Sequence, residues 1–299
     1  MADLCKLQLR VPSLIRPLQI YVNGLSVTTA DESSGDFTGS YLWTGGRVLA
    51  AWLGSLQPET ADRLLRNRAV LELACGKAAL PARIAARYGA SPCCASDGSS
   101  AVIDVLRGQL QDEDEEKSMD IVVKGFDAQD HASQWDVVLF ADAVYSKEKA
   151  RLLARCCAMC SAREINSKLS PPCVIGCVSG NRLGPPELMR AMREEGFVAE
   201  EMTMTQKARK EADTLWDTAN SEQLRHILVG GPASEFYVVR WIRANVEDVQ
   251  GKRLEDDLAN WQPPAYRDGS HALNQSQSLI SCSWCFVGAQ HVASWLCRS

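Results

Sequence analysis

From residue 69 to residue 204 the chain alternates short apolar runs with stretches whose apolar residues recur at helical spacing, and few folds accept that rhythm. A short apolar run bounded by turn residues reads as a buried strand, and recurrence at i, i+3, i+4 as a one-faced helix. Strands are expected at 69–74, 91–96, 120–123, 135–141, 173–178 and 198–204. Helices are expected between them at 77–88, 99–110, 147–160 and 186–195. A further helix is expected at 45–56, where Val48, Leu49, Trp52, Leu53 and Leu56 share a face, and a last strand at 235–242. Repeated strand–helix units imply an α/β fold, a doubly wound, mostly parallel sheet with helices on both faces. Near the start, Leu18, Ile20, Val22, Leu25 and Val27 alternate around Asn23-Gly24, which suggests a hairpin. The pattern stops after residue 250, so the expected organisation is a hairpin extension over 1–40, a main domain over 41–250 and an irregular tail over 251–299.

Composition narrows the function classes. A chain with 46% hydrophobic and 23% charged residues has a soluble, globular make-up. Its formal net charge of −5 supplies no basic field, so a nucleic-acid partner is not expected. No apolar run reaches membrane-spanning length, and Met1-Ala-Asp-Leu-Cys-Lys lacks the features of a secretory leader. A cytoplasmic monomer is the expectation, with the nucleus as the alternative compartment. The twelve cysteines are irregularly spaced and fall within expected strands and helices, as small buried hydrophobes do. Two C-x-x-C pairs, Cys157/Cys160 and Cys282/Cys285, have zinc-ligand spacing, but the first lies mid-helix and no metal is expected. The acidic run 112–116 reads as a solvated turn.

The turn after the first strand of the repeating unit carries Glu72-Leu-Ala-Cys-Gly76-Lys-Ala78, and an acid, Asp97, follows Gly76 by 21 positions. Small residues in such a turn admit a nucleoside close to the backbone, and the acid is suited to ribose hydroxyls. Glu72 lies inside an apolar strand, where a carboxyl must be hydrogen-bonded; it anchors the loop or a bound amino group. Further on, Asp142 and Tyr145 follow a buried strand at the edge where parallel sheets bind ligands. Each residue also has a purely structural reading. Asp142 and Tyr145 fit a cap for the next helix, Asp97 fits a cap before Ser99, and Trp43 fits an ordinary core aromatic.

Taken together, three segments resemble the seven-strand S-adenosylmethionine-dependent methyltransferases, and within them the small protein-lysine methyltransferase branch, over roughly residues 15–245. They are Gly39-Ser-Tyr-Leu-Trp43, Glu72-Leu-Ala-Cys-Gly76-Lys-Ala78 with Asp97, and Asp136-Val-Val-Leu-Phe-Ala-Asp142-Ala-Val-Tyr145. The resemblance implies a Rossmann-like seven-stranded sheet with its last strand antiparallel, and S-adenosylmethionine as cofactor. It implies a cofactor site of Trp43, Glu72, Ala74, Cys75, Gly76, Asp97, Asp127, Ala128 and Ala141, with Asp142 and Tyr145 facing the lysine amine of a protein substrate. Two departures stand out. Ala74 and Ala78 replace loop glycines, with strain expected wherever φ is positive, and Ala128 stands where the family carries tryptophan. Two other readings stay open: a catalytically silent binding module, and a dinucleotide-dependent oxidoreductase read from Ala74-x-Gly76-x-x-Ala79. The direction of the last strand separates the latter from a methyltransferase.

Overall fold

A computed structural model describes residues 4–9, 18–23, 42–112, 121–125, 131–162, 171–182, 184–217 and 228–243. Two strands, β1 (Leu4–Leu9) and β2 (Leu18–Asn23), pair antiparallel with Leu4 opposite Asn23. The alternation from Leu18 to Val22 therefore does make a strand, and one partner of it is the strand that precedes it. Leu25 and Val27 lie outside the described residues, as do the tail and its Cys282/Cys285 pair.

The main domain begins with β3 (Leu42–Trp43), α1 (Thr44–Gly54), α2 (Pro58–Leu65), β4 (Val70–Leu73) and α3 (Leu80–Arg87). It continues through β5 (Cys93–Asp97), α4 (Ser100–Asp112), β6 (Ile121–Gly125), β7 (Val137–Ala141), α5 (Lys147–Cys160) and β8 (Cys173–Ser179). Next come α6 (Gly184–Glu194), β9 (Phe197–Met202), α7 (Gln206–Asp217), β10 (Leu228–Val229) and β11 (Phe236–Arg243). Seven strands form one sheet in the order β6-β5-β4-β7-β8-β11-β9. β4 to β8 are mutually parallel, and β11 runs antiparallel to both neighbours, β8 and β9. The reversed last strand matches the methyltransferase expectation and sets the dinucleotide reading aside.

Alternation along the strands divides the core. Val137 and Leu139 of β7 join a cluster with residues of α1, α2, α3, α4 and α7 on one face, while Val138 and Phe140 join α5 and α6 on the other. Helices α2 and α7 were not expected from the spacing. In α2 only Ala61, Leu64 and Leu65 are buried, and α7 inserts alanines at 208 and 212, so neither shows a broad apolar stripe. Eight cysteines of the main domain are buried, including Cys157 and Cys160 inside α5. No helix among the described residues is long and apolar enough to cross a membrane.

The sheet's amino-terminal edge is closed by Asp136, whose carboxylate accepts from the Ala69 N–H at 3.0 Å and lies 3.8 Å from buried Arg68. Centrally, Phe140 faces Gly176 of β8 and stacks on Trp241 of β11 with ring centroids 5.7 Å apart. A Cβ at Gly176 would stand 2.1 Å from the Phe140 ring, so glycine is required by packing there. Gly176→Ala is expected to destabilise the fold by about 1–3 kcal/mol through overpacking. Chemical denaturation measures it, and an unchanged midpoint would contradict this packing.

Candidate active site

The carboxyl edge of the sheet is shaped first by the turn from β4 into α3. Ala74, Gly76 and Ala79 have positive φ values of 53°, 60° and 43°. Strain expected at Ala74 is therefore present. At position 78 it is not, and Ala79 carries the left-handed conformation instead. Such a conformation costs an L-residue about 1–2 kcal/mol, so the loop needs strong ties. Glu72 supplies one: its Oε2 accepts from the Ala82 N–H at 2.8 Å, capping a helix whose own cap residue, Ala79, has no side chain able to do so. Asp97 supplies another, accepting from Gly76 N–H through Oδ2 at 3.0 Å, and its Oδ1 accepts from Ser99 N–H at 3.0 Å. Asp97 is thus a loop anchor, while α4 is capped by the Ser99 hydroxyl, which accepts from the Val102 N–H at 3.2 Å. The Cys75 N–H donates to the Ser96 carbonyl, completing the junction with β5.

These acids are out of water. Burial pushes the Glu72 carboxyl up to about 8, against the pull of the Ala82 N–H. Burial also raises Asp97, opposed by the backbone N–H groups of Ser99, Gly76 and Gly98. Cys75 is raised well above the ordinary thiol value by burial, with Asp97 and Glu72 adding to it, so it remains a protonated wall residue and not a nucleophile.

Above this turn lies an open cleft of about 370 Å³ with the open solvent at its mouth counted in. Trp43, Glu72, Ala74, Cys75, Gly76 and Ala141 all line it, joined by an apolar wall of Leu42, Leu80 and Pro81. An adenosyl group suits this cradle: small residues and positive-φ backbone below, apolar sides, and Asp97 beside Gly76 with acceptor capacity left on both oxygens. Asp127 and Ala128 lie outside the described residues, as do Gly39, Ser40 and Tyr41.

Trp43 is half-buried and forms one side of the cleft, so its role is not that of a core aromatic. Its position is set from afar. β10 pairs parallel with β3, Val229 opposite Trp43, and Gly230 (φ 119°) packs so tightly that a Cβ would lie 2.6 Å from the Thr44 hydroxyl. Buried Arg47 of α1 donates to the Ala212 carbonyl at 3.0 Å and to Thr44 Oγ1 at 2.7 Å, pinning α1 on α7.

Next to Ala141 of the cleft lining, Asp142 directly follows β7 with φ 52° and is buried. Its N–H donates to the Cys177 carbonyl at 2.9 Å, and Gly45 packs against it so that a Cβ there would meet Asp142 Cβ at 2.7 Å. Asp142 does not cap the next helix; the Ser146 hydroxyl does, accepting from the Lys149 N–H at 3.2 Å. Asp142 Oδ2 accepts from Arg182 at 2.9 Å, whereas Oδ1, equally buried, has no hydrogen-bond partner among the described residues. Burial lifts this carboxyl to about 6, with Arg182 pulling it back. Tyr145 and Trp43 meet edge-to-face at 5.8 Å. The Arg182 guanidinium lies 4.2 Å from the Tyr145 ring centroid and 5.4 Å from that of Trp43. The sequence reading missed Arg182. Its signal was placement: a polar turn, Ser179-Gly-Asn-Arg182, right after a parallel strand at the ligand-binding edge.

Glu72 gives a pH test. Its folded value near 8 exceeds the ordinary 4.5, so the stability that its proton contributes is full below pH 4.5 and is lost as pH rises through 8. Glu72→Gln keeps an acceptor for Ala82 and removes that titration. Thermal melts between about pH 5 and 8 are expected to show a flatter decline than wild type, by on the order of a few kcal/mol. Parallel declines would contradict the assignment.

The sequence pattern of the lysine methyltransferase family matches residues 25–174, half of the 299-residue chain. Among solved structures, the chain is similar to magnesium protoporphyrin IX methyltransferase from Synechocystis PCC 6803 with bound SAH. That likeness has 15% identity over 65% of this chain and 80% of that chain, with a TM-score of 0.43. It is also similar to an S-adenosylmethionine dependent methyltransferase from Mesorhizobium loti, with 14% identity over 62% of this chain and 95% of that chain and a TM-score of 0.39. No curated protein matches the chain. By its family match the chain belongs to the lysine methyltransferase family, whose methyl donor is S-adenosylmethionine.

Proposed function

We propose that this protein is a protein-lysine N-methyltransferase acting as a monomer on a lysine of another protein, in the reducing cytoplasm or nucleus that its buried free thiols suit. One observation carries the reading. Just past Ala141 of the cleft lining, a buried carboxylate oxygen, Asp142 Oδ1, lacks a donor among the described residues, and the Arg182 that holds its other oxygen lies against the Trp43 and Tyr145 rings. An N–H donor is what that oxygen calls for, and aromatic faces suit an aliphatic amine in either charge state.

S-adenosylmethionine, when bound, supplies a methyl group already activated on a sulfonium, so the protein's task is positioning. Trp43, Ala74, Cys75, Gly76 and Ala141 wall the cofactor and exclude water. Asp97 holds the loop amides and offers acceptors to ribose hydroxyls, while Glu72 keeps α3 and the loop in place. Asp142 orients the acceptor amine through Oδ1, and Tyr145 flanks its stem. Removal from water favours the neutral amine over the ammonium, whose ordinary pKa is about 10.4.

A silent binding module is the second reading, favoured by the Ala74 methyl in the strained cradle. Calorimetry with S-adenosylmethionine decides between them, since absence of heat at millimolar cofactor would favour the module. For the enzyme, Asp142→Ala is expected to abolish transfer of tritiated methyl to lysine while changing cofactor affinity by less than about threefold. Asp97→Ala is expected to weaken cofactor binding first, by about tenfold or more, because it removes ribose contacts and frees two loop amides. A large affinity loss in Asp142→Ala would reassign that acid to the cofactor.

A further inference from the structure

We infer that Arg182 is a positioning residue for the transfer step: by pairing with one oxygen of Asp142, it makes the other an acceptor for a neutral lysine amine instead of a trap for its ammonium. The inference rests on the lysine reading above.

A lone buried carboxylate facing an amine defeats its own purpose. Opposite charges favour the charged partner, so a free Asp142 would hold the lysine as ammonium, which has no lone pair to attack with. The geometry avoids this. Arg182 Nη2 is 2.9 Å from Asp142 Oδ2, and the pair is locally neutral. Oδ1 keeps its acceptor geometry, while the guanidinium beside it disfavours a second cation. Cationic neighbours lower amine pKa values in this way. The planar head of Arg182 lies against the Tyr145 and Trp43 rings.

Arg182 is held for the task. The Gly180 N–H donates to the Glu235 carbonyl at 2.8 Å and the Asn181 N–H to Ser179 Oγ at 3.3 Å, which fixes the turn. Gly184, at the start of α6, packs on Val144, where a Cβ would stand 2.4 Å from a side-chain methyl, so the turn abuts the Asp142–Tyr145 loop. The other titratable groups near Asp142 do not substitute for it. Cys177 of β8 is held protonated by burial and by Asp142. Lys149 of α5 has its ammonium 5.6 Å from the Tyr145 centroid. Gly45 of α1 brings no charge. In the transfer, the neutral amine's lone pair forms the N–C bond as the methyl leaves the sulfonium, whose bonding pair stays on sulfur. The methylammonium product then returns a proton to water.

The test uses full-length wild type, Arg182→Met, Arg182→Gln and Arg182→Lys with tritiated S-adenosylmethionine and a cell lysate as acceptor mixture. Methyl-lysine is quantified after hydrolysis between about pH 6.5 and 9.5. Cofactor affinity, measured by calorimetry, is expected to stay near wild type in all four. Arg182→Met and Arg182→Gln are expected to move the rising limb of the profile by about one unit to alkaline pH, a roughly tenfold loss at pH 7 that closes by pH 9.5. Arg182→Lys keeps the charge and is expected to retain the wild-type limb. If Arg182→Met does not fold, Arg182→Gln carries the comparison. A loss of equal factor at every pH, or no loss, overturns the inference while leaving the proposed function standing. Absence of methyl-lysine with wild type overturns the proposed function, and this inference with it.

Discussion

A carboxylate removed from water must be met by donors, since left alone it costs several kcal/mol or takes up a proton. The carboxyl edge of this sheet is organised around three such acids. Glu72 is met by the first turn of α3, Asp97 by the amides of Gly76 and Ser99, and Asp142 by Arg182. Every donor comes from a loop or helix start on the same edge. Satisfying the acids therefore places the loops, and the placed loops enclose the cleft. The opposite edge has the same chemistry with another result: Asp136, Arg68 and the Ala69 amide close on one another.

The β4–α3 turn shows how such ties permit a poor local choice. Alanines at 74 and 79 occupy backbone conformations that favour glycine, at a cost of about 1–2 kcal/mol each. The bonds from Glu72, Asp97 and Ser96 hold the turn in spite of this. The Ala74 methyl remains in the cradle as the structural mark of that departure. Gly76 keeps the left-handed position whose amide Asp97 holds.

Much of the fold was legible because buried parallel strands are apolar on both faces, as in Val70–Leu73 and Val137–Ala141, and leave an unmistakable run. Helices built on alanine, or masked by charge, left no such trace, which is why α7 and α2 were missed. β1 was not expected, because alternation reports a strand's faces and not its neighbour. Trp43, Glu72, Ala74, Cys75, Gly76 and Ala141 line one cleft, because residues flanking one strand end share its geometry. Arg182 was hidden. It reaches Asp142 from 40 positions away, and only the β7–β8 adjacency brings the two together.

The pairing of Val229 with Trp43 bears on how the protein is made. One wall of the cleft belongs to the first part of the domain, yet the strand paired with it lies 186 residues further on, from Trp43 to Val229. At about 5–20 residues per second, a ribosome needs roughly ten seconds or more between the two. Until then the nascent chain can assemble its parallel strands without a finished cleft. Completion of that wall therefore waits for a two-residue stitch from far along the chain.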